Sequence, residues 1–204
     1  MVGSIDDALH EIDDSLCAAC FDVLEQALNR KQCPKRELLE SLSANSLSCP
    51  LFVTWTKRMP NGEEDLRGCI GTLSPVPISR LEHYAKLSAF GDRRFSPINA
   101  DEIPLLVCGV SLLHTYENAK DPYDWVVGTH GIQLEFEYQG LEYSATYLPE
   151  VAEENMWTKD VAIKHLIRKT GYRGSLNDKL LDSVKVTRYQ SKKLRLTYDN
   201  YKKL

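Results

Sequence analysis

The sequence predicts an α+β fold, an antiparallel β-sheet core with flanking helices. Two stretches rich in apolar, aromatic and β-branched residues are each folded back by a turn signal, at Met59-Pro60-Asn61-Gly62 and at Tyr138-Gln139-Gly140, which is the pattern of a hairpin. Segments with apolar residues three and four apart interrupt these hairpins, as helices would. Strand and helix patterns do not alternate regularly, which argues against a parallel sheet.

In chain order, Ile5, Ala8, Leu9, Ile12, Leu16, Ala19, Val23, Leu24 and Leu28 keep helical spacing, so residues 4–30 read as one amphipathic helix with Ser4 and Asp7 as a capping-box-like start. A second helix opens at Pro34, whose fixed φ suits a first turn, and runs through Leu42. Residues 43–50 link it to a strand over 51–57. The turn at 59–62 returns the chain as a strand carrying Leu66-Arg67-Gly68-Cys69-Ile70-Gly71. Residues 79–91 have helical spacing and a closing glycine, and 103–113 form a long apolar strand. Residues 131–136 and 141–148 make the second hairpin, 158–169 a helix, and 184–189 and 193–198 two strands. No repeat or linker divides the chain, which reads as a single domain, 1–204, with its motif-bearing core at about 51–173 and the helical segment 4–42 packed on it.

Composition narrows the function classes. With 43% hydrophobic and 26% charged residues the chain reads as globular, and no run of about 18 apolar residues spans a membrane. The acidic start lacks the pattern of a secretion signal, so the expected location is intracellular, cytoplasm or nucleus, with the six cysteines reduced. The net charge of −4 conceals an acidic first helix and a basic C-terminal region that includes Lys192, Lys193, Arg195, Lys202 and Lys203. Such a region packs on the acidic helix, forms a solvated face, or binds nucleic acid weakly, with Tyr172, Tyr189, Tyr198 and Tyr201 as stacking platforms.

The motif is the strongest candidate site. Strand alternation places Arg67, Cys69 and Gly71 on one side, with the α-carbons of Arg67 and Cys69 roughly 6.5–7 Å apart at the usual rise. A nearby cation favours thiolate over thiol. Gly68 and Gly71 admit a close backbone or a ligand.

The motif resembles the signature of the AMMECR family. Phe52-Val53-Thr54 precedes it, and Asp92-Arg93-Arg94-Phe95-Ser96-Pro97, Val110-Ser111-Leu112-Leu113, Asp124 to Ile132, Tyr147 to Ala152 and Arg168 to Tyr172 follow in the family's order. The chain looks most like the eukaryotic single-domain members. The resemblance implies two closely associated subdomains around antiparallel sheet. It implies little about reaction, leaving a regulatory or interaction role beside a cysteine-dependent enzyme. By family association it links the chain to separate Memo-like or radical SAM proteins. Where the family often has a diacidic or Asp-Pro-Arg sequence, this chain has Asp92-Arg93-Arg94.

In the enzyme reading Cys69 is the nucleophile, Arg67 stabilises its thiolate or holds an anionic substrate, His130 moves protons, and Glu150 orients the imidazole or acts as an acid or base. In the alternative, Cys69 is a small packing residue and Arg67 pairs with Asp92. Asp92 and Arg94 are either part of an anion clamp or an internal ion pair fixing their loop. A protein partner would meet the surface around Arg67, Gly68, Gly71, Asp92 and Arg94. The expected cleft joins residues 67–71, the loop 92–97 and the turn 128–131. Cys17-Ala18-Ala19-Cys20 lies inside a helix and lacks two further zinc ligands, the histidines form no metal-ligand pair, and dinucleotide, P-loop, zincin and serine-hydrolase motifs are missing. No metal or cofactor is therefore expected.

Overall fold

The computed structural model describes residues 5–30, 32 and 36–204. Its strands are β1 (Ser48–Arg58), β2 (Glu64–Pro77), β3 (Leu106–Asn118), β4 (Gly131–Tyr138), β5 (Leu141–Tyr147) and β6 (Lys185–Thr197). They are hydrogen bonded in the order β2-β1-β3-β6-β4-β5, with antiparallel pairing of β1 with β2 and β3, and of β4 with β5 and β6. The fold is α+β with flanking helices. Two compact units divide the chain, Met1–Leu113 with Lys192–Leu204, and His114–Ser191.

In the first unit, the stretch expected as one helix is two, α1 (Ile5–Ala8) and α2 (Ser15–Asn29). The break lies where Asp13 accepts a hydrogen bond from the Ser15 amide at 2.9 Å, a local bond that competes with helix continuation. Ser4 and Pro34, expected to open helices, lie outside the described residues, and α3 covers Glu37–Ala44. Leu51, Val53 and Trp55 alternate on β1 and are fully buried between α2 and α4 (Leu81–Phe90), where the Trp55 indole donates to the Ala85 carbonyl at 3.3 Å. The strand expected over 103–113 starts only at Leu106. Asn99 and Glu102 cap each other's backbone and wind residues 100–105 into a 3-10 turn first.

Arg195 pairs with Glu64 and Arg58 with Asp199. The short closing helix α8 (Tyr198–Tyr201) lays Tyr201 on Phe21 at 5.1 Å and hydrogen bonds Tyr198 to Glu25 and Tyr201 to Asp22.

In the second unit, Gln139 and Gly140 both adopt positive φ, 54° and 76°, and close the β4–β5 hairpin tightly. Ile132, Leu134 and Phe136 on β4 and Val186 on β6 bury against Ala162, Ile163, Leu166 and Ile167 of α6 (Lys159–Lys169), whose first turn Thr158 caps. The helices α5 (Pro149–Glu154) and α7 (Asp178–Ser183) have no counterpart in the sequence reading, and β6 is one strand where two were expected. No helix among the described residues is long and apolar enough to cross a membrane.

Candidate functional site

Arg67 does not keep to simple strand alternation. Trp55 stands opposite Gly68 and Thr56 opposite Leu66, so Arg67 is an extra residue on β2. A bulge of this kind re-aims the side chain it carries. The guanidinium forks onto Glu102, with Nε and a terminal nitrogen each 2.9 Å from a carboxylate oxygen, and also donates to the Ser96 carbonyl at 2.7 Å and the Pro97 carbonyl at 3.3 Å. Lys57 donates to the same carboxylate at 3.1 Å. Arg67, above all, pulls the Glu102 pKa down to about 2. The cation predicted to sit beside the sulfur, or to pair with Asp92, instead braces residues 96–102.

The partner of Asp92 is Arg94. One Asp92 oxygen accepts from the Arg94 amide at 3.2 Å and Nε at 3.0 Å; the other accepts from an Arg94 terminal nitrogen at 2.7 Å and from the Cys69 amide at 2.9 Å. Arg94 also donates to the Cys69 carbonyl at 3.2 Å. The two side chains thus complete the hydrogen bonding of Cys69 at the outer edge of β2, as a neighbouring strand would. The Arg94 hydrogen bond is the largest cause holding the Asp92 carboxyl well below its ordinary range. The Asp92–Arg94 ion pair fixes the loop 91–97 and leaves the Arg94 guanidinium 5.4 Å over the Phe95 ring, with Arg93 exposed beside it.

Cys69 itself is half-buried, its sulfur 3.0 Å from the Thr54 hydroxyl across the strand pair. The motif's glycines are filled by the chain's own atoms. A Cβ at Gly68 would lie 2.1 Å from the Ser88 carbonyl oxygen of α4, and one at Gly71 would lie 2.2 Å from the Leu51 carbonyl oxygen and 2.4 Å from the Phe52 ring.

An open cleft of about 450 Å³ lies beside this network, lined by Lys57, Arg67, Phe95, Ser96, Asn99, Asp101 and Glu102. Of the sequence-predicted site residues only Arg67 lines it. Lys57 and Glu102 escaped the sequence reading. The Asn99-x-x-Glu102 capping pattern was a legible signal for Glu102.

His130 and Glu150 belong to the second unit. The His130 Nδ1 accepts the Val126 amide at 3.0 Å, which sets the neutral tautomer with the proton on Nε2. Burial, followed by the Arg188 charge, lowers its pKa. Arg188 in turn pairs with Glu117 at 3.0 Å and Asp124 at 2.9 Å. Gly131 makes room for Tyr189, whose ring would be 2.4 Å from a Cβ there. Glu150 stands in the first turn of α5 and its charge adds to burial in raising the Tyr189 pKa. Within the first unit, Thr54, Asp92 and Arg94 are among the groups that bond to Cys69.

Cys17 and Cys20 are buried on α2, with Cys108 of β3 in contact with both, and burial raises the Cys20 and Cys108 thiols. Cys49 is pushed up to about 12 by the same cause. Among the described residues no group of three or more His, Cys, Asp or Glu side chains is arranged to hold a metal ion.

Comparison with known proteins gives these residues a setting. The AMMECR1 family profile matches residues 17–194. An uncharacterised protein of Arabidopsis thaliana is 45% identical over 185 residues, covering 89% of this chain and 84% of its own. An uncharacterised protein of Schizosaccharomyces pombe is 38% identical over 188 residues, covering 91% and 93%. The crystal structure of an uncharacterised Pyrococcus horikoshii protein superposes with a TM-score of 0.67 over 87% of each chain at 24% identity, a likeness of fold.

Proposed function

The chain belongs to the AMMECR1 family, and we propose that within it this protein works as an intracellular interaction module with a regulatory role, its recognition surface being the braced loop 92–97 and the cleft beside it. The observation that carries this reading is the pattern of bonds around the motif. Glu102 holds Arg67, Asp92 and Arg94 hold the Cys69 backbone, and the glycine spaces are filled by Ser88, Leu51 and Phe52. A nucleophilic cysteine is activated by a base or a cation at its sulfur. Thr54 places its hydroxyl 3.0 Å from the Cys69 sulfur, and the cation of this network, Arg94, directs its guanidinium to Asp92 and the Cys69 carbonyl. What the network presents outward is Arg93, Arg94 and Phe95 on a preorganised turn. Arginine and aromatic residues dominate protein interfaces, and preorganisation lowers the entropy cost of binding. The partner surface complementary to Arg93 and Arg94 is acidic.

The probe is a separately purified Memo-like protein, the partner class that the family resemblance supplies, titrated calorimetrically against wild type and variants. Arg93→Glu with Phe95→Ala, which leaves the Asp92–Arg94 pair in place, is expected to weaken binding at least about tenfold, and added salt to weaken wild-type binding. Cys69→Ala is expected to bind like wild type. Loss of binding on Cys69→Ala with none in the loop variant overturns the reading. Alkylation of Cys69 near neutral pH much faster than an unstructured thiol, slowed by His130→Ala, would establish the cysteine-dependent enzyme instead.

A further inference from the structure

A second surface, in the other unit and independent of the reading above, centres on Met156. The helix α5 ends in a Schellman-type turn, with the Met156 amide donating to the Glu153 carbonyl at 2.9 Å and the Trp157 amide reaching back five residues to the Ala152 carbonyl at 2.9 Å. Such a turn places its central residue on left-handed backbone, and glycine is the residue that takes this conformation without strain. Here it is Met156, at φ 54°. Its side chain is 91% exposed, more than any other large apolar side chain among the described residues. Strained backbone that presents an unburied apolar group is more easily explained by a binding role than by folding.

The loop before β4 is held against this corner. Lys159 donates to the Tyr123 carbonyl at 3.0 Å and ties the loop before β4 to the α5–α6 corner. Gly128, at φ 78°, lies against the Glu153 carboxylate, 2.6 Å from where a Cβ would stand. On that loop Tyr123 is 37% and Val126 54% exposed. Next to Met156 in the chain, the Trp157 ring packs against Tyr147 and His165, with ring centres 5.7 and 4.5 Å away. The charged side chains exposed along α5 beside Met156 are Glu153 and Glu154. Met and Tyr are residue types enriched at interface centres.

We propose that this corner is a protein-docking surface on which Met156 is the anchor, and that its partner presents an apolar pocket rimmed by Lys or Arg, complementary to Glu153 and Glu154.

The test uses the full chain with photoreactive benzoylphenylalanine at position 156, irradiated in extract of the cells that express the protein, with wild type or Met156→Gly chain as unlabelled competitor. The expected result is a cross-link to one protein whose labelled peptide lines an apolar pocket with Lys or Arg at its rim. Wild type suppresses the cross-link and Met156→Gly is at least about tenfold less effective, the size of effect an anchor residue carries. Met156→Gly is also expected to melt no lower than wild type, which separates lost docking from lost folding. The proposal is overturned by the absence of a cross-link, by equal suppression from Met156→Gly, by a labelled site that is acidic, or by a second copy of this chain as the cross-linked species.

Discussion

At Cys69 the chain ties the backbone of one residue to a loop through Asp92 and Arg94 and its sulfur to Thr54 of the neighbouring strand, whereas at Met156 it holds a large apolar residue 91% exposed on left-handed backbone. The two regions obey opposite rules. Around Cys69 polar groups are satisfied inside the fold, so change there is felt as stability. Around Met156 the side chain is exposed and adds little to folding, so under the docking proposal change there is felt as recognition.

The sharpest way to break that contrast is Gly68→Ala. The new Cβ meets the Ser88 carbonyl at 2.1 Å, backbone that cannot swing aside, so α4 must shift, and the expected loss is about 3 kcal/mol by chemical denaturation. Gly140→Ala is the control. Nothing lies within 4 Å of that Cβ and only the positive φ opposes it, for about 1 kcal/mol. Equal losses at the two sites would remove the packing account of Gly68.

Asp92→Ala comes next, at about 2 kcal/mol, because it strips the half-buried Cys69 amide of its acceptor while Arg94, largely exposed, can turn to water. Acid should act on the same network. Asp92 and Glu102 both have folded pKa values below their ordinary ones, so the unfolded chain binds their protons more tightly. Their stabilisation is complete above the unfolded carboxylate values near 4 and is lost as pH falls below them, for Glu102 down to about 2. Denaturation midpoints across that window should fall steeply for wild type and less steeply for Glu102→Gln. Parallel curves would mean that the Arg67–Glu102 brace contributes little.

How far the sequence discloses this depends on the range of the forces involved. Hairpins at 59–62 and 138–140 are legible because their turn chemistry is local. The break between α1 and α2 is set by Asp13 and Ser15, whose capping bonds compete with an apolar period that runs straight through them. The helices α5 and α7 are six residues each, too short to show a period, and only Pro149 and Asn177 mark their starts. Two glycines in a strand announce a close approach, but Ser88, which makes it at Gly68, is 20 positions away on another element. The bulge that turns Arg67 toward Glu102 depends on pairing with β1, which no single-strand pattern encodes.

Cys69→Ala should cost under about 1 kcal/mol, since it removes a half-buried sulfur whose bond to the Thr54 hydroxyl is weak. A loss of several kcal/mol, measured by denaturation, would place the sulfur inside the packing that Gly68 depends on.

Met156→Gly carries the smallest expected effect and the opposite sign. Releasing a left-handed non-glycine residue gains about 1–2 kcal/mol, and glycine's greater freedom in the unfolded chain takes back about 0.5–1. Because the side chain is 91% exposed, no compensating burial is lost. The net is a gain of about 0.5 kcal/mol, visible as a small upward shift of the thermal midpoint. Met156→Ala separates the two contributions. It removes the apolar anchor but keeps the positive φ strained, so it should leave stability unchanged. If Met156→Gly instead lowers the midpoint, the side chain makes a contact that stabilises the fold, and the contrast between a bonded Cys69 and an outward Met156 fails at its second member.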